Sequence, residues 1–335
     1  MKRVRSIKRI WKTTMKLAEA VSWLAPVGVP AKPATTRKRV MLVPGPGFSE
    51  VRAFGSNPGG LGMNLYTPKA MAQAAPLVVV LHGCGQQARE FARDSGWVAL
   101  ADRLGFPVLL PEQRLENNHG RCFNWFRPDD IKRGLGEMLS IRQMVAVAKR
   151  SYATGGRRVF VVGLSAGGAM AAACLAAYPD VFTAGAVVAG LPVASAIGVA
   201  SAMGRMAHAG SDIGPGRWAA MARASAPSHA GRYPRLSVWQ GSADRTIDPP
   251  NAANLAAQWR GLAGLGAEPA VDQTWEGGIR RRAWGDAARP MVEEWTITGM
   301  AHGYPIEAGR PSDRFVIAAG IDATAEIARF WGLSD

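Results

Sequence analysis

The pentapeptide Gly163-Leu164-Ser165-Ala166-Gly167 restricts the fold of this chain more than any other segment. It follows the apolar run Val159-Phe160-Val161-Val162 and opens the Ala-rich stretch Ala166–Ala177. The first run has the character of a strand and the second that of a helix. A strand that reverses at once into a helix closes a turn in which flanking Cβ atoms would collide. Gly163 and Gly167 remove those atoms, and Gly168 permits a further close approach. Ser165 is then left projecting above the carboxyl edge of a sheet.

The rest of the chain repeats the strand–helix alternation. Ser49–Phe54 and Met63–Tyr66 flank the turn-rich Ser56-Asn57-Pro58-Gly59-Gly60 and read as an antiparallel opening hairpin. Pro76–Leu81 is a continuous apolar run, the pattern of a strand covered on both faces. Further strands are expected at Phe106–Leu110, Arg158–Val162, Ala184–Val188, Leu236–Trp239 and Val292–Thr298. Helices are expected at Glu90–Leu104, Gly134–Tyr152, Ala166–Ala177, Asn251–Leu265 and Ile321–Trp331. Residues 191–232 have weaker periodicity, and we read them as a lid-like insertion. The order implies an α/β architecture, a mainly parallel central sheet with right-handed crossovers and helices on both faces. The length of 335 residues suits one large domain of this kind.

A serine hydroxyl attacks only when a base removes its proton. The chain has five histidines, His82, His119, His208, His229 and His302. The chain order of nucleophile, acid and histidine in such sheets leaves those after Ser165. His208 and His229 fall in the insertion. His302, in Gly299-Met300-Ala301-His302-Gly303, follows the last strand, where sites in open α/β sheets form. Asp244 ends the preceding strand unit and is expected to orient the imidazole. Asp248 is its rival, read instead as a helix N-cap before Pro249 and Pro250. The oxyanion of an acyl-transfer intermediate needs backbone N–H donors. We expect them from Ala166 and from Cys84 in His82-Gly83-Cys84-Gly85, with His82 bracing that loop.

Other chemistries find no support in the sequence. Gly163–Gly168 lacks the Lys-Ser/Thr of a phosphate-binding loop, and Gly45-Pro46-Gly47 reads as a turn. Neither His-x-x-x-His nor Cys-x-x-Cys occurs, so no metal or other cofactor is expected.

The net charge of +15 is uneven: residues 1–39 hold eleven basic residues and one acid, Glu19. We therefore read 1–39 as a basic tail and linker, and 40–335 as the catalytic domain. A charge confined to a tail does not mark a nucleic-acid-binding face. The tail suits contact with an anionic surface or granule, which makes a docking protein the competing class of function. No apolar run spans a bilayer and no clear secretory signal is present, which favours the cytoplasm slightly over secretion.

Pro76–Gln86, Cys122-Phe123-Asn124-Trp125-Phe126, Gly163–Met170, Gly241-Ser242-Ala243-Asp244 and Ala328–Gly332, taken together, resemble the poly(3-hydroxybutyrate) depolymerase family of esterases. The similarity runs through most of residues 48–333. It implies the α/β-hydrolase fold and hydrolysis of short-chain 3-hydroxyalkanoate esters through an acyl-enzyme. It places the triad on Ser165, Asp244 and His302, in agreement with the spacing. It also implies that Trp125 lies near the acyl cleft and Cys84 near Cys122, with a bridge between the cysteines left open. Feruloyl and acetylxylan esterases share the same core, so a carbohydrate ester is the alternative substrate. Two departures concern substrate preference: Gln240 stands where the family usually has His, and Gly85-Gln86-Gln87 replaces the commoner Thr-Gln-Thr.

Overall fold

A computed structural model describes residues 45–152, 158–309 and 315–333. The readings made on residues 1–39 lie outside the described residues.

The strands are β1 (Gly47–Glu50), β2 (Gly62–Thr67), β3 (Leu77–Leu81), β4 (Val108–Glu112), β5 (Val159–Leu164), β6 (Ala184–Val188), β7 (Arg235–Gly241), β8 (Val271–Trp275), β9 (Ile279–Gly285) and β10 (Pro290–Ile297). The helices are α1 (Ala88–Asp94), α2 (Trp97–Leu104), α3 (Gly136–Ser151), α4 (Ala166–Ala177), α5 (Val199–Ala207), α6 (Pro215–Arg223), α7 (Pro250–Ala263) and α8 (Ala323–Trp331). Among the described residues the strands form one ten-stranded sheet in the order β1-β2-β4-β3-β5-β6-β7-β10-β9-β8. The run from β4 to β10 is parallel, and antiparallel strands close both edges. A separate parallel pair joins β11 (Tyr304–Ile306) to β12 (Val316–Ala318).

The apolar run of β3 shows why helices are needed on both faces. Leu77, Val79 and Leu81 enter a core shared with α3, α4 and α7, whereas Val78 and Val80 enter a second core shared with α1, α2 and α8. Every residue of this strand is buried, as the alternation of strand side chains requires between two helical layers.

Two expectations are corrected, and one hairpin was not foreseen. Glu90–Leu104 is two helices, because Gly96 takes φ of 91° and the Ser95 hydroxyl bonds back to the Phe91 carbonyl at 2.6 Å. The first strand, Gly47–Glu50, ends before the expected Phe54. The hairpin β8–β9 was not expected at all. Its Gly277-Gly278 turn carries both residues at positive φ, as tight hairpins require. Its arginines are paired: Arg280 with Asp272, Arg281 with Glu293 and Arg282 with Glu294. The insertion holds α5 and α6 and no strand.

These ion pairs differ in burial. The Glu293 side chain is 2% exposed and Arg281 21%, while Asp272 and Arg280 lie open to solvent. Removing Arg281 strands a buried carboxylate, so Arg281→Met should lower the unfolding free energy by about 3 kcal/mol. Arg280→Met should leave it unchanged, since an exposed pair is screened by water. Equal denaturation midpoints for the two variants would contradict this account.

Candidate active site

Ser165 sits between β5 and α4 at φ 58° and ψ −120°, a conformation that L-residues rarely adopt. The turn is held by close backbone approach. A Cβ on Gly163 would lie 2.2 Å from the Gly167 carbonyl oxygen, and one on Gly167 2.4 Å from the carbonyl oxygens of Leu81 and His82. The Ser165 N–H donates to the Val188 carbonyl at 2.8 Å, tying the turn to the end of β6. The strain is thus fixed by two neighbouring strands, and it aims the hydroxyl off the sheet edge.

Asp244 and His302 come together from the ends of adjacent parallel strands, β7 and β10. His302 Nδ1 lies 2.8 Å from Asp244 Oδ2. Asp244 Oδ1 accepts the N–H groups of Thr246 and Ile247 at 2.8 and 2.9 Å. The two loops are stitched by Ser242 N–H to the Ile297 carbonyl, Ala243 N–H to the Met300 carbonyl and Gly299 N–H to the Ser242 hydroxyl. A Cβ on Gly241 would lie 2.2 Å from the Met300 carbonyl oxygen, so this approach depends on glycine. Burial pushes the Asp244 carboxyl upward, but the hydrogen bond and charge of His302, with the two N–H groups, outweigh it and hold the group below the usual carboxylate range. Asp244 is therefore an anion with its partner imidazole in a set orientation.

Among the described residues no hydrogen bond joins the Ser165 hydroxyl to His302. Such contacts are commonly loose in an unliganded enzyme and tighten when substrate is bound. Asp248 is not the N-cap expected of it. Its carboxylate accepts the Ala209 N–H at 2.8 Å and so anchors the insertion, while Pro249 stands at the helix start. His208 is exposed at the end of α5, and His229 packs edge-on to Tyr233.

The loop after β3 is braced from below. Cys84 is disulfide-bonded to Cys122. His82 is fully buried, with Nδ1 2.7 Å from the Gly83 carbonyl and Nε2 3.1 Å from the Gln113 N–H. Burial holds its imidazole down to about 4, so the ring stays neutral and bridges the two loops. The N–H groups of Cys84 and Ala166 donate to no group among the described residues. Glu137, at the start of α3, takes the side chains of Gln113, Asn117 and Asn124 and the Asn124 N–H. Sequence reading missed this carboxylate, whose partners are spread over residues 113–124 and show no spacing.

Ser165, Ala166, Cys84, Cys122 and Trp125 line one cleft of about 480 Å³. Leu191, Met206 and Ile247 continue its apolar wall. His302 and Asp244 are not part of this lining, but Ile247 is, and its N–H holds Asp244. Among the described residues, no cluster of His, Cys, Asp or Glu is placed to hold a metal ion.

A doubly covered, mainly parallel sheet with a serine on its strand–helix elbow defines the α/β-hydrolase fold, and the chain shares that fold with acetyl xylan esterase from Aspergillus awamori. The two align with a TM-score of 0.74 and 24% identity over 86% of this chain and 99% of the other. The family profile described as Esterase PHB depolymerase matches residues 61–280, and the chain belongs to that family of carboxylic ester hydrolases. It is 39% identical to poly(3-hydroxyalkanoate) depolymerase C of Paucimonas lemoignei over 85% of this chain and 70% of the relative. It is also 28% identical to feruloyl esterase B of Talaromyces funiculosus, over 91% of this chain and 82% of that one.

Burial and the charge of Asp130 push the Glu137 carboxyl up to about 8, against the pull of its N–H donors. A group that binds its proton more tightly when folded stabilises fully below its ordinary range and loses that contribution as pH rises through the folded value. The melting temperature should therefore fall from about pH 5 toward about pH 8, and Glu137→Gln should flatten the fall. Parallel profiles for the two proteins would place the responsible proton elsewhere.

Proposed function

We propose that this esterase hydrolyses short aliphatic carboxylic esters, with 3-hydroxyalkanoate oligomers or polyester as the preferred class, through an acyl-enzyme. Ser165 Oγ attacks the ester carbonyl while His302 Nε2 takes its proton. Asp244 holds Nδ1, fixes the tautomer and stabilises the imidazolium. The N–H groups of Ala166 and Cys84 receive the oxyanion. His302 then protonates the leaving alcohol, and water attacks the acyl-enzyme with His302 again as base.

The observation that carries this reading is the placement of the strained Ser165, beside two uncommitted N–H groups, on an apolar cleft whose wall holds Asp244 through Ile247. Trp125, Leu191 and Met206 suit an aliphatic acyl chain. At the mouth, Val199, Met203 and Leu115 are 64%, 60% and 45% exposed and extend the apolar surface outward. The similarity to a poly(3-hydroxyalkanoate) depolymerase supports the same class.

A carbohydrate ester is the second reading. It is favoured by Asn118, His119 and Arg127 on the cleft, which offer hydrogen bonds to a sugar, and by the similarity to feruloyl and acetylxylan esterases. The tail 1–39, ahead of a catalytic domain at 40–335, would contact an anionic surface or granule and takes no part in the chemistry. The Cys84–Cys122 bridge favours an oxidising compartment over the cytoplasm expected from the sequence.

The test is a panel of p-nitrophenyl acyl esters, 3-hydroxybutyrate oligomers and feruloyl or acetyl sugars, run with wild type and Ser165→Ala. The oligomers should be turned over fastest, and Ser165→Ala should lose at least about a thousandfold in kcat/KM. Preference for the sugar esters would select the second reading. Full activity of Ser165→Ala would remove the mechanism.

A further inference from the structure

Asp244 is held by more than its imidazole partner. Gln240, near the end of β7, is 2% exposed, and its Nε2 donates to Asp244 Oδ2 at 2.9 Å. The same oxygen lies 2.8 Å from His302 Nδ1, while Oδ1 is taken by the N–H groups of Thr246 and Ile247. The other end of the amide is unsatisfied: Gln240 Oε1 is buried with no hydrogen-bond partner among the described residues. A buried acceptor left unpaired is destabilising. An aliphatic side chain of similar volume would avoid that cost. What it would lose is the Nε2 donor, which reaches Asp244 Oδ2 at 2.9 Å and, at 3.3 and 3.5 Å, the carbonyls of Gly241 and Ile247.

We propose that Gln240 is a positioning residue for the reaction, whose amide N–H fixes the Asp244 rotamer and withdraws charge from the oxygen that His302 uses. The inference rests on the triad reading above and adds to it the group that sets the strength of the acid–imidazole pair. A neutral donor on Oδ2 lowers the attraction between the carboxylate and a protonated imidazole. A loss of this donor is therefore read in the acid limb of the rate profile. Without the donor, Asp244 also has one fewer contact to stop it rotating away from Nδ1.

The surroundings leave this effect to Gln240. The charge acting on Asp244 comes from His302. On the loop of Asp244 itself, Arg245 is exposed and Asp248 is bonded to the Ala209 N–H. Neighbouring β6 carries no charged side chain. On β10, Glu293 and Glu294 are paired with Arg281 and Arg282 of β9.

The test measures pH profiles of kcat and KM for full-length wild type, Gln240→Met and Gln240→Glu on one p-nitrophenyl ester, with folding checked by thermal unfolding. For Gln240→Met, kcat should fall roughly tenfold with KM little changed. The acid limb of kcat/KM should move up by about half to one pH unit. Gln240→Glu is isosteric and replaces the donor with an acceptor once ionised, so it should move the limb further up. It also serves if the Met variant does not fold. The downfield proton resonance of the His302–Asp244 bond should shift in both variants. An acid limb that stays at the wild-type pH in a folded variant, whatever the loss of rate, would overturn the role of Gln240 alone. Activity that persists in Ser165→Ala would overturn the triad reading and this inference with it.

Discussion

The carboxylate of Asp244 is where separate parts of the chain meet. It takes hydrogen bonds from Gln240 on β7, from Thr246 and Ile247 on its own loop, and from His302 on the loop after β10. These bonds use both oxygens, so the carboxylate has one orientation, and that orientation sets the imidazole. The arrangement needs β7 and β10 side by side and parallel, and it needs Gly241 bare enough for the Met300 carbonyl to approach. A sheet with another strand order would leave the acid and the histidine apart.

The other half of the site is built in the same way, with buried polar groups holding loops at the end of the sheet. His82 remains neutral and links the Gly83 loop to Gln113. Glu137 gathers Gln113, Asn117 and Asn124 beneath the segment that carries Cys122 and Trp125. The disulfide ties that segment to the loop of Cys84. Such groups contribute modestly to stability, because desolvation opposes their hydrogen bonds. Their effect is to hold in place the loops that form the cleft wall.

Much of this was legible in the sequence. The elbow was readable because steric exclusion at Gly163 and Gly167 leaves a local mark, and the helix Ala166–Ala177 and the strand Ala184–Val188 fall where their patterns put them. The pairing of Asp244 with His302 followed from chain order and strand ends. What escaped depends on contacts between distant residues. The β8–β9 hairpin was missed because the acids that pair with Arg281 and Arg282, Glu293 and Glu294, lie on another strand. The break at Ser95-Gly96 is a single-residue event inside a helical pattern. Glu137 gave no signal, and Gln240 showed only as a departure from the family's usual His, since neither burial nor partners can be read from an isolated polar residue. Asp248 was misassigned for the same reason: its carboxylate serves Ala209 across the insertion, not the helix beside it.

The claim that Asp244, through His302, makes Ser165 reactive is tested most directly by the rate of covalent inactivation with a fluorophosphonate, with the label mapped by mass spectrometry. Wild type should be modified on Ser165 alone. Asp244→Asn should carry the label at the same residue but react about a thousandfold or more slowly, because the imidazole is then held in the wrong tautomer. Labelling at another residue, or an unchanged rate in Asp244→Asn, would contradict the account.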